Sequence, residues 1–348
     1  MDYKHLCNGN IPVYGTGGYM LSVNAALSYD KDAIGIGRKG TINKPYILKA
    51  PFWTVDTLFY AIPRKYNNLQ FCNCIFQRID WLKYDESTGV PSLSKNIINS
   101  IEVNCAPSYD EQQKIASYFQ SLDSLIQTTS KKLVSLKQIK DASLQSMFPQ
   151  EGETVPKVRF KGFEGEWEKI PFGSFLKESY ERSTVENEDI LLSSAITGVY
   201  LNSELFGHQR GASNIGYKKI KKNMLILSTQ NLHLGNANVN LRFEHGLISP
   251  AYKVYEIVNI SPLFLQQWIK MDSTKVFFLN ATTAGASLCR KNIVWDDLYK
   301  QIVLIPSKNE QVKIGLFFSN LDKQISLQTQ RLEKLKQIKA ACLDKMFV

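Results

Sequence analysis

The sequence predicts an α+β chain: two α/β modules separated by two long helices that form an antiparallel coiled coil, with an internal pseudo-twofold repeat. Three observations predict it. Residues 108–149 align without a gap on residues 307–348, with about 19 of 42 positions identical. Both segments carry apolar residues at alternating steps of four and three, the 3.5-residue period of a coiled-coil seam. Upstream of each segment comes the same succession of short apolar strand, polar loop and helix.

In chain order, the first module spans 1–107. It holds an apolar strand at Ala33-Ile34-Gly35-Ile36, a helix near 67–82 and the word GVPSLSKNI at 89–97. The first long helix spans 108–148, with Pro107 just before it and Asp110 as a candidate N-cap. Its seam is Ile115, Phe119, Leu122, Ile126, Thr129, Leu133 and Leu136. Residues 149–157, charged and carrying Pro149, Pro156 and Gly152, read as a linker. The second module, 158–306, has its strand at Leu225-Ile226-Leu227-Ser228, a helix near 261–272 and the word GASLCRKNI at 285–293. The second long helix spans 307–348 after Pro306, with Asn309 as N-cap. Its seam is Ile314, Phe318, Leu321, Ile325, Gln328, Leu332 and Leu335. Thr129 and Gln328 interrupt the two seams at matching positions and are expected to meet, fixing register at a cost in stability. About 38 residues of helix give a rod of roughly 57 Å.

The 348 residues include 42 Lys+Arg against 32 Asp+Glu, a net charge of +10. At 44% hydrophobic and 21% charged, the composition is that of a folded protein, not a disordered or collagen-like one. No apolar run reaches the roughly 18 residues that span a bilayer. The start, Met1-Asp2-Tyr3-Lys4-His5, has no apolar signal core. The six cysteines lack metal or CxxC spacing, so reduced thiols and a cytoplasmic location are expected. The positive charge admits a polyanionic partner without locating it. With the linker counted in the second module, the first and second modules carry +3 and +2 and the first and second long helices +1 and +4, the largest share lying on the second helix.

Catalytic motifs fail on their context. Gly35-Ile36-Gly37-Arg38-Lys39-Gly40 is literally G-x-G-x-x-G, with Asp56 downstream, but Pro45 follows where a dinucleotide site needs a helix N-terminus. It reads instead as a tight turn after a strand. Asn43-Lys44-Pro45-Tyr46 departs at its second residue from the N-P-P-Y motif of adenine methyltransferases, and no glycine-rich cofactor loop accompanies it. The four histidines form no metal-binding or triad-like group, so no catalytic and no metal-ligating residue is assigned.

Binding chemistry fits better. Lys218, Lys219, Lys221 and Lys222 form the densest cationic run, able to neutralise phosphates or to be an ordinary solvated face. Amide, imidazole and guanidinium groups suited to base edges cluster in loops. In the second module these are His208, Gln209, Arg210, Ser213 and Asn214, then Gln230, Asn231, His233, Asn236 and Asn238. In the first they are Asn8, Asn10 and Tyr14, then Arg38, Lys39, Asn43 and Lys44.

These residues carry a resemblance. Glu111-Gln112, Lys114-Ile115-Ala116, Leu122-Asp123, LKQIK at 136–140 and Met147-Phe148 are followed by Val158-Arg159-Phe160 and by Phe163-Glu164-Gly165-Glu166-Trp167. Over essentially its whole length the chain resembles the specificity (S) subunit of type I restriction-modification systems. The resemblance implies two target recognition domains, each reading one half of a split double-stranded DNA sequence. Half-sites one turn apart lie roughly 34 Å from each other, within reach of such a rod. It implies that the helices also dock methyltransferase (modification) subunits, and that a restriction subunit with translocase and endonuclease activity joins them. The chain itself is then non-catalytic and binds no cofactor; S-adenosylmethionine, ATP and Mg2+ are expected on the partner subunits. The first module departs from the pattern: about 31 residues precede its strand, against about 67 from Pro156 to the second, and it lacks an RF…F-x-G-x-W lead-in. It is therefore expected to be an N-terminally shortened recognition domain. The rival readings are a self-sufficient DNA methyltransferase and a structural coiled-coil assembly subunit that reads no DNA.

Overall fold

The computed structural model describes residues 3–207, 213–287 and 290–347. It divides into two compact units, Met1–Lys132 with Gln328–Val348, and Leu133–Leu327. The division cuts across both long helices, so each unit owns part of each.

The first unit runs β1 (Asn8–Gly15), β2 (Gly18–Val23), β3 (Ala33–Gly37), β4 (Tyr46–Leu48), β5 (Trp53–Thr54) and β6 (Leu58–Ala61). Then come α1 (Leu69–Arg78), α2 (Lys95–Ser100) and the start of α3 (Tyr109–Met147). Its strands form two sheets, β2-β1-β5 and β4-β3-β6. The second unit follows with β7 (Glu168–Pro171), β8 (Leu176–Glu178), β9 (Leu191–Ala195), β10 (Gly198–Leu201) and α4 (Asn202–Phe206). It continues through β11 (Lys218–Lys221), β12 (Leu225–Ser228), β13 (Ala237–Val239), β14 (His245–Ile248) and β15 (Tyr252–Ile257). It ends with α5 (Pro262–Ile269), α6 (Asp272–Leu279), β16 (Thr282–Ser287), β17 (Arg290–Ile293), α7 (Trp295–Lys300), β18 (Ile302–Ile305) and α8 (Lys308–Met346). Its sheets are β10-β9-β14-β11 and β13-β12-β15-β8, with two pairs, β16-β17 and β18-β7. The apolar strands expected from the sequence, β3 and β12, are buried along their whole lengths, each between two antiparallel neighbours.

Each module grips its long helix in the same way. Asn68 caps α1 and Ser261 caps α5 with their side chains. The buried Gln112 amide accepts the Asn68 backbone N–H (2.9 Å) and donates to the Ala106 carbonyl (2.8 Å). Gln311 repeats this, accepting from Ser261 (2.8 Å) and donating to the Pro306 carbonyl (2.9 Å). One turn on, Gly315 lets α8 lie against α5, because a Cβ there would sit 2.9 Å from the Phe264 backbone nitrogen. Its counterpart in α3 is Ala116, also buried.

Aromatic rings complete the grip. In the first unit Phe347 of the C-terminal segment meets Phe71 of α1 at 5.3 Å and Phe119 of α3 at 6.1 Å between centroids. In the second, Phe148 meets Phe264 of α5 at 5.5 Å and Phe318 of α8 at 6.1 Å. Within each unit the helix segments run antiparallel and are joined by an ion pair. Asp123 meets Lys339 (2.6 Å) in the first unit, and Asp322 meets Lys140 (2.5 Å) in the second, at matching positions of the two aligned segments. All fourteen expected seam residues are buried or half-buried. Thr129 is buried and Gln328 half-buried at their seam positions, and among the described residues no hydrogen bond joins them.

The segment between α3 and β7 is bound to the second unit. The Arg159 guanidinium forms a two-pronged ion pair with the buried Glu310 carboxylate (2.9 and 2.6 Å), which raises the arginine's pKa further. Trp167 lies edge-on against Phe148 at 5.8 Å, and β7 then pairs with β18.

Gln311→Ala leaves a buried N–H and a buried carbonyl without partners. Each such loss costs about 1–3 kcal/mol. The expected outcome in urea denaturation is a lowered midpoint at unchanged slope, with the exposed control Gln120→Ala within about 0.5 kcal/mol of the parent.

Candidate nucleic-acid interface

The two buried strands β3 and β12 both lead into polar loops, and these loops hold most of the candidate residues. After β3 the chain folds back at once. A Cβ on Gly37 would sit 2.1 Å from the Thr41 carbonyl oxygen, and Gly40 has φ +92°. The G-x-G-x-x-G word is therefore a tight turn, followed by β4 and not by a helix. Arg38 and Lys39 are exposed on it, with Asn43 and Lys44 exposed just beyond. The turn is held from two sides. Its Arg38 N–H donates to the Thr57 carbonyl (2.8 Å), while Leu93 N–H donates to Arg38 and Gly40 N–H to Pro91 (both 2.8 Å). The Arg38 guanidinium donates to the Asp56 carbonyl (3.2 Å) and lies 5.9 Å over the Phe59 ring. Lys95, at the start of α2 behind its cap Ser94, lines with Arg38 and Lys39 a cleft of about 670 Å³ whose acidic members are Asp56 and Glu86.

Elsewhere in the first unit, Asn10 is exposed on β1. Tyr14 is half-buried there, packed edge-on against Tyr19 (6.4 Å) and Tyr46 (6.2 Å). Tyr46 donates to the Gly15 carbonyl (2.6 Å), and burial pushes its phenol up to about 12.

In the second unit the loop after β12 turns on Ser228, whose hydroxyl accepts the backbone N–H groups of Gln230 (3.4 Å) and Asn231 (3.1 Å). It closes at Gly235, φ +90°. Gln230 is exposed and Asn231 half-buried. His233 is buried, and neither ring nitrogen has a hydrogen-bond partner among the described residues. Burial holds its pKa below the usual value, and the nearby Lys291 ammonium on β17 adds to the effect. Lys95 and Lys291 occupy the same place in the repeated K-N-I word, Lys95-Asn96-Ile97 and Lys291-Asn292-Ile293. Each unit therefore sets the lysine of that word beside the loop that follows its buried strand. The sequence reading used the word as a sign of duplication and did not name either lysine as a binding residue.

Other candidates have structural partners. Asn214 is buried, donating to the Asn187 side chain (2.7 Å) and accepting the Asn187 N–H (2.7 Å). Asn236 and Asn238 hold the β9–β10 hairpin: Asn238 donates to the Ser194 hydroxyl and the Ala195 carbonyl (both 2.7 Å), and Ser194 donates to Asn236 (3.1 Å). Lys270 braces the same tip, donating to the carbonyls of Ile196 (2.7 Å) and Ala237 (2.8 Å), and burial pushes its ammonium down to about 8. The 218–222 run is not a free cationic patch. Lys218 is buried, and Lys219, Lys221 and Lys222 pair with Glu188, Glu181 and Glu244. His208 and Arg210 lie outside the described residues.

Among the described residues, no three His, Cys, Asp or Glu side chains come together to hold a metal ion. No described helix is long and apolar enough to cross a membrane. What the two loop sites offer is exposed or half-buried cations and side-chain amides, a chemistry for phosphates and hydrogen-bonding edges.

His233 also predicts a pH dependence. Its folded pKa lies below 6.5, so just below pH 6.5 the unfolded chain binds a proton that the folded chain resists. Stability is full above that pH and falls as the pH drops towards the folded pKa. Thermal unfolding between pH 7 and pH 5 is expected to show a smaller fall for His233→Gln than for the parent.

Comparison with known proteins accords with this arrangement. Residues 2–138 match the family model described as "Type I restriction modification DNA specificity domain". No curated protein matches the chain. Among solved structures, the chain is similar to the S subunit of a type I restriction-modification system from M. genitalium. That match has 14% identity and a TM-score of 0.66, covering 100% of this chain and 92% of that one. The HsdS subunit from Thermoanaerobacter tengcongensis is also matched, at 14% identity and a TM-score of 0.44, over 98% of this chain and 90% of that one. Residues 2–138 are thus similar to a type I restriction-modification DNA specificity domain, and the chain as a whole shares its fold with the M. genitalium S subunit.

Proposed function

We propose that this chain is the subunit that reads a split double-stranded DNA target for a type I restriction-modification enzyme, and that it performs no chemistry itself. Each unit reads one half-site. The antiparallel helices form a coiled coil that spaces the half-sites and docks the methyltransferase and restriction subunits. S-adenosylmethionine, ATP and Mg2+ act on those partners, in the cytoplasm. The observation that carries the reading is the duplicated site: in both units a lysine of the K-N-I word stands beside the polar loop after the buried strand. One protein surface used twice suits a target read in two halves. The family match of residues 2–138 supports a DNA role for the first of them.

Two measurements test it. Methylome sequencing of cells carrying this chain with its methyltransferase partner should reveal a split motif. Exchanging residues 156–306 for those of another S subunit should change one half of that motif; an unchanged methylated sequence would refute the reading. In DNA-binding titrations of the partner complex, Lys95→Ala and Lys291→Ala should each weaken binding and reduce the slope of log affinity against log salt by about 1. Lys221→Ala, whose ammonium already faces Glu181, should change the slope least.

A further inference from the structure

Each unit sets a two-residue hairpin turn beside its loop site. In the first unit β1 and β2 pair Gly15 with Gly18, so Thr16 and Gly17 make the turn. In the second unit β9 and β10 pair Ala195 with Gly198, so Ile196 and Thr197 make it. The first residue of each turn lies against a positive-φ glycine in the loop that follows the buried strand. A Cβ on Gly40 (φ +92°) would be 3.8 Å from Thr16 Oγ1, and one on Gly235 (φ +90°) 4.0 Å from Ile196 Cγ2. Each loop site is therefore continued by a hairpin tip from far upstream in the chain.

Buried and half-buried donors hold three successive carbonyls leading into the second tip. That of Ser194 accepts from the Tyr252 hydroxyl (2.9 Å) and the Asn236 amide (3.3 Å). That of Ala195 accepts from Asn238 (2.7 Å), and that of Ile196 from the Lys270 ammonium (2.7 Å). The side chain at this fixed point is not a usual one for a turn, where Gly, Pro, Asn, Asp and Ser dominate. Ile196 is 50% exposed, and Leu234, beside Gly235 in the chain, is 42% exposed. At the first tip Thr16 and Gly17 offer a hydroxyl and no side chain. A half-exposed aliphatic group on a braced backbone adds little to the fold, and it suits contact with an apolar group of a ligand.

We infer that Ile196 is a specificity-determining residue that reads the C5-methyl group of a thymine in the half-site of the second unit. The inference rests on the DNA-reading role proposed above and adds a base to it. The major groove admits a two-stranded β-ribbon, and the thymine methyl is the apolar group presented there. In the minor groove A·T and T·A pairs present only hydrogen-bond acceptors, which an isoleucine side chain cannot use. The amides and Lys291 of the adjoining loop are left for polar base edges and phosphates. At the first tip Thr16 brings a hydroxyl together with its methyl, so the two half-sites meet different chemistry at the equivalent point.

The test uses the full chain in complex with its methyltransferase partner, and duplexes carrying the methylated motif of the parent. The second half-site is the one that changes when residues 156–306 are exchanged. Each of its thymines, on either strand, is replaced in turn by deoxyuridine, which lacks only the C5-methyl. The expected result is one position at which the replacement weakens binding about fourfold, equivalent to ~0.8 kcal/mol. Ile196→Ala, a change at an exposed turn position, should no longer distinguish the two duplexes. Its slope of log affinity against log salt should stay that of the parent, because no phosphate contact is lost. Thr16→Ala should leave the response of the second half-site to deoxyuridine unchanged. Deoxyuridine tolerated at every position overturns the inference, as does a second half-site without thymine on either strand. Equal sensitivity in the parent and in Ile196→Ala also overturns it, because another residue then holds the methyl. Those outcomes leave the DNA-reading role standing. A parent complex that methylates no split motif refutes that role, and this inference with it.

Discussion

Three phenylalanines from three segments meet in each unit, and the rest of each unit is arranged around them. Phe71, Phe119 and Phe347 come from α1, α3 and the end of the chain; Phe264, Phe318 and Phe148 come from α5, α8 and the end of α3. A buried ring removes about 150–250 Å² from water, and a well-placed pair adds about 0.5–1.5 kcal/mol. In the second unit a polar contact joins the same three elements, the Asp322 carboxylate of α8 accepting from Lys140 of α3 (2.5 Å) and Gln267 of α5 (3.3 Å). The Gln112 and Gln311 clamps, the Gly315 approach and the paired Asp and Lys of the helices all lie within a few turns of these clusters. They turn an apolar contact into one with a fixed direction.

That fixed direction matters for the loops. Strands β3 and β12 are buried along their lengths, so their following turns start from rigid positions. Side chains on such turns hold their geometry against a ligand, which a solvated charge run does not. The contrast between Lys291 and the 218–222 run illustrates it. The run is the more basic by composition, yet three of its ammonium groups face carboxylates and the fourth is buried. Lys291 is a single charge in an undistinguished word, and it lies near a loop whose histidine is held below its usual pKa by burial and, secondarily, by that charge.

The helices were legible in the sequence because their physics is local. A seam of apolar residues every three or four positions, unbroken by Pro and with Gly315 of α8 as its one glycine, reads as a long helix. Helices α3 and α8 begin and end within two residues of the expected spans. The short helices near 67–82 and 261–272 were legible for the same reason, and α1 and α5 lie inside those limits. Of the candidate loops, exposure was legible only where a residue's environment is set by its neighbours in sequence, as at Arg38 and Lys39 on their turn. Asn236 and Asn238 read as loop amides, but their partners Ser194 and Ala195 lie about forty residues upstream. The carboxylates that neutralise Lys219 and Lys221 are likewise distant, and no window of sequence shows them. Register between the helices was equally hidden, because an offset of one turn leaves both seams apolar.

The account stands on the ring clusters, and a double-mutant cycle on Phe119 and Phe347 tests them most directly. Each phenylalanine is changed to leucine, alone and together, and unfolding free energies are measured in urea. Residues in contact couple by about 0.5–3 kcal/mol, whereas distant pairs add within about 0.5 kcal/mol. The arrangement described here predicts coupling between Phe119 and Phe347, equal coupling between Phe318 and Phe148, and additivity between Phe119 and Phe318. Additive Phe119 and Phe347, or coupled Phe119 and Phe318, would contradict it.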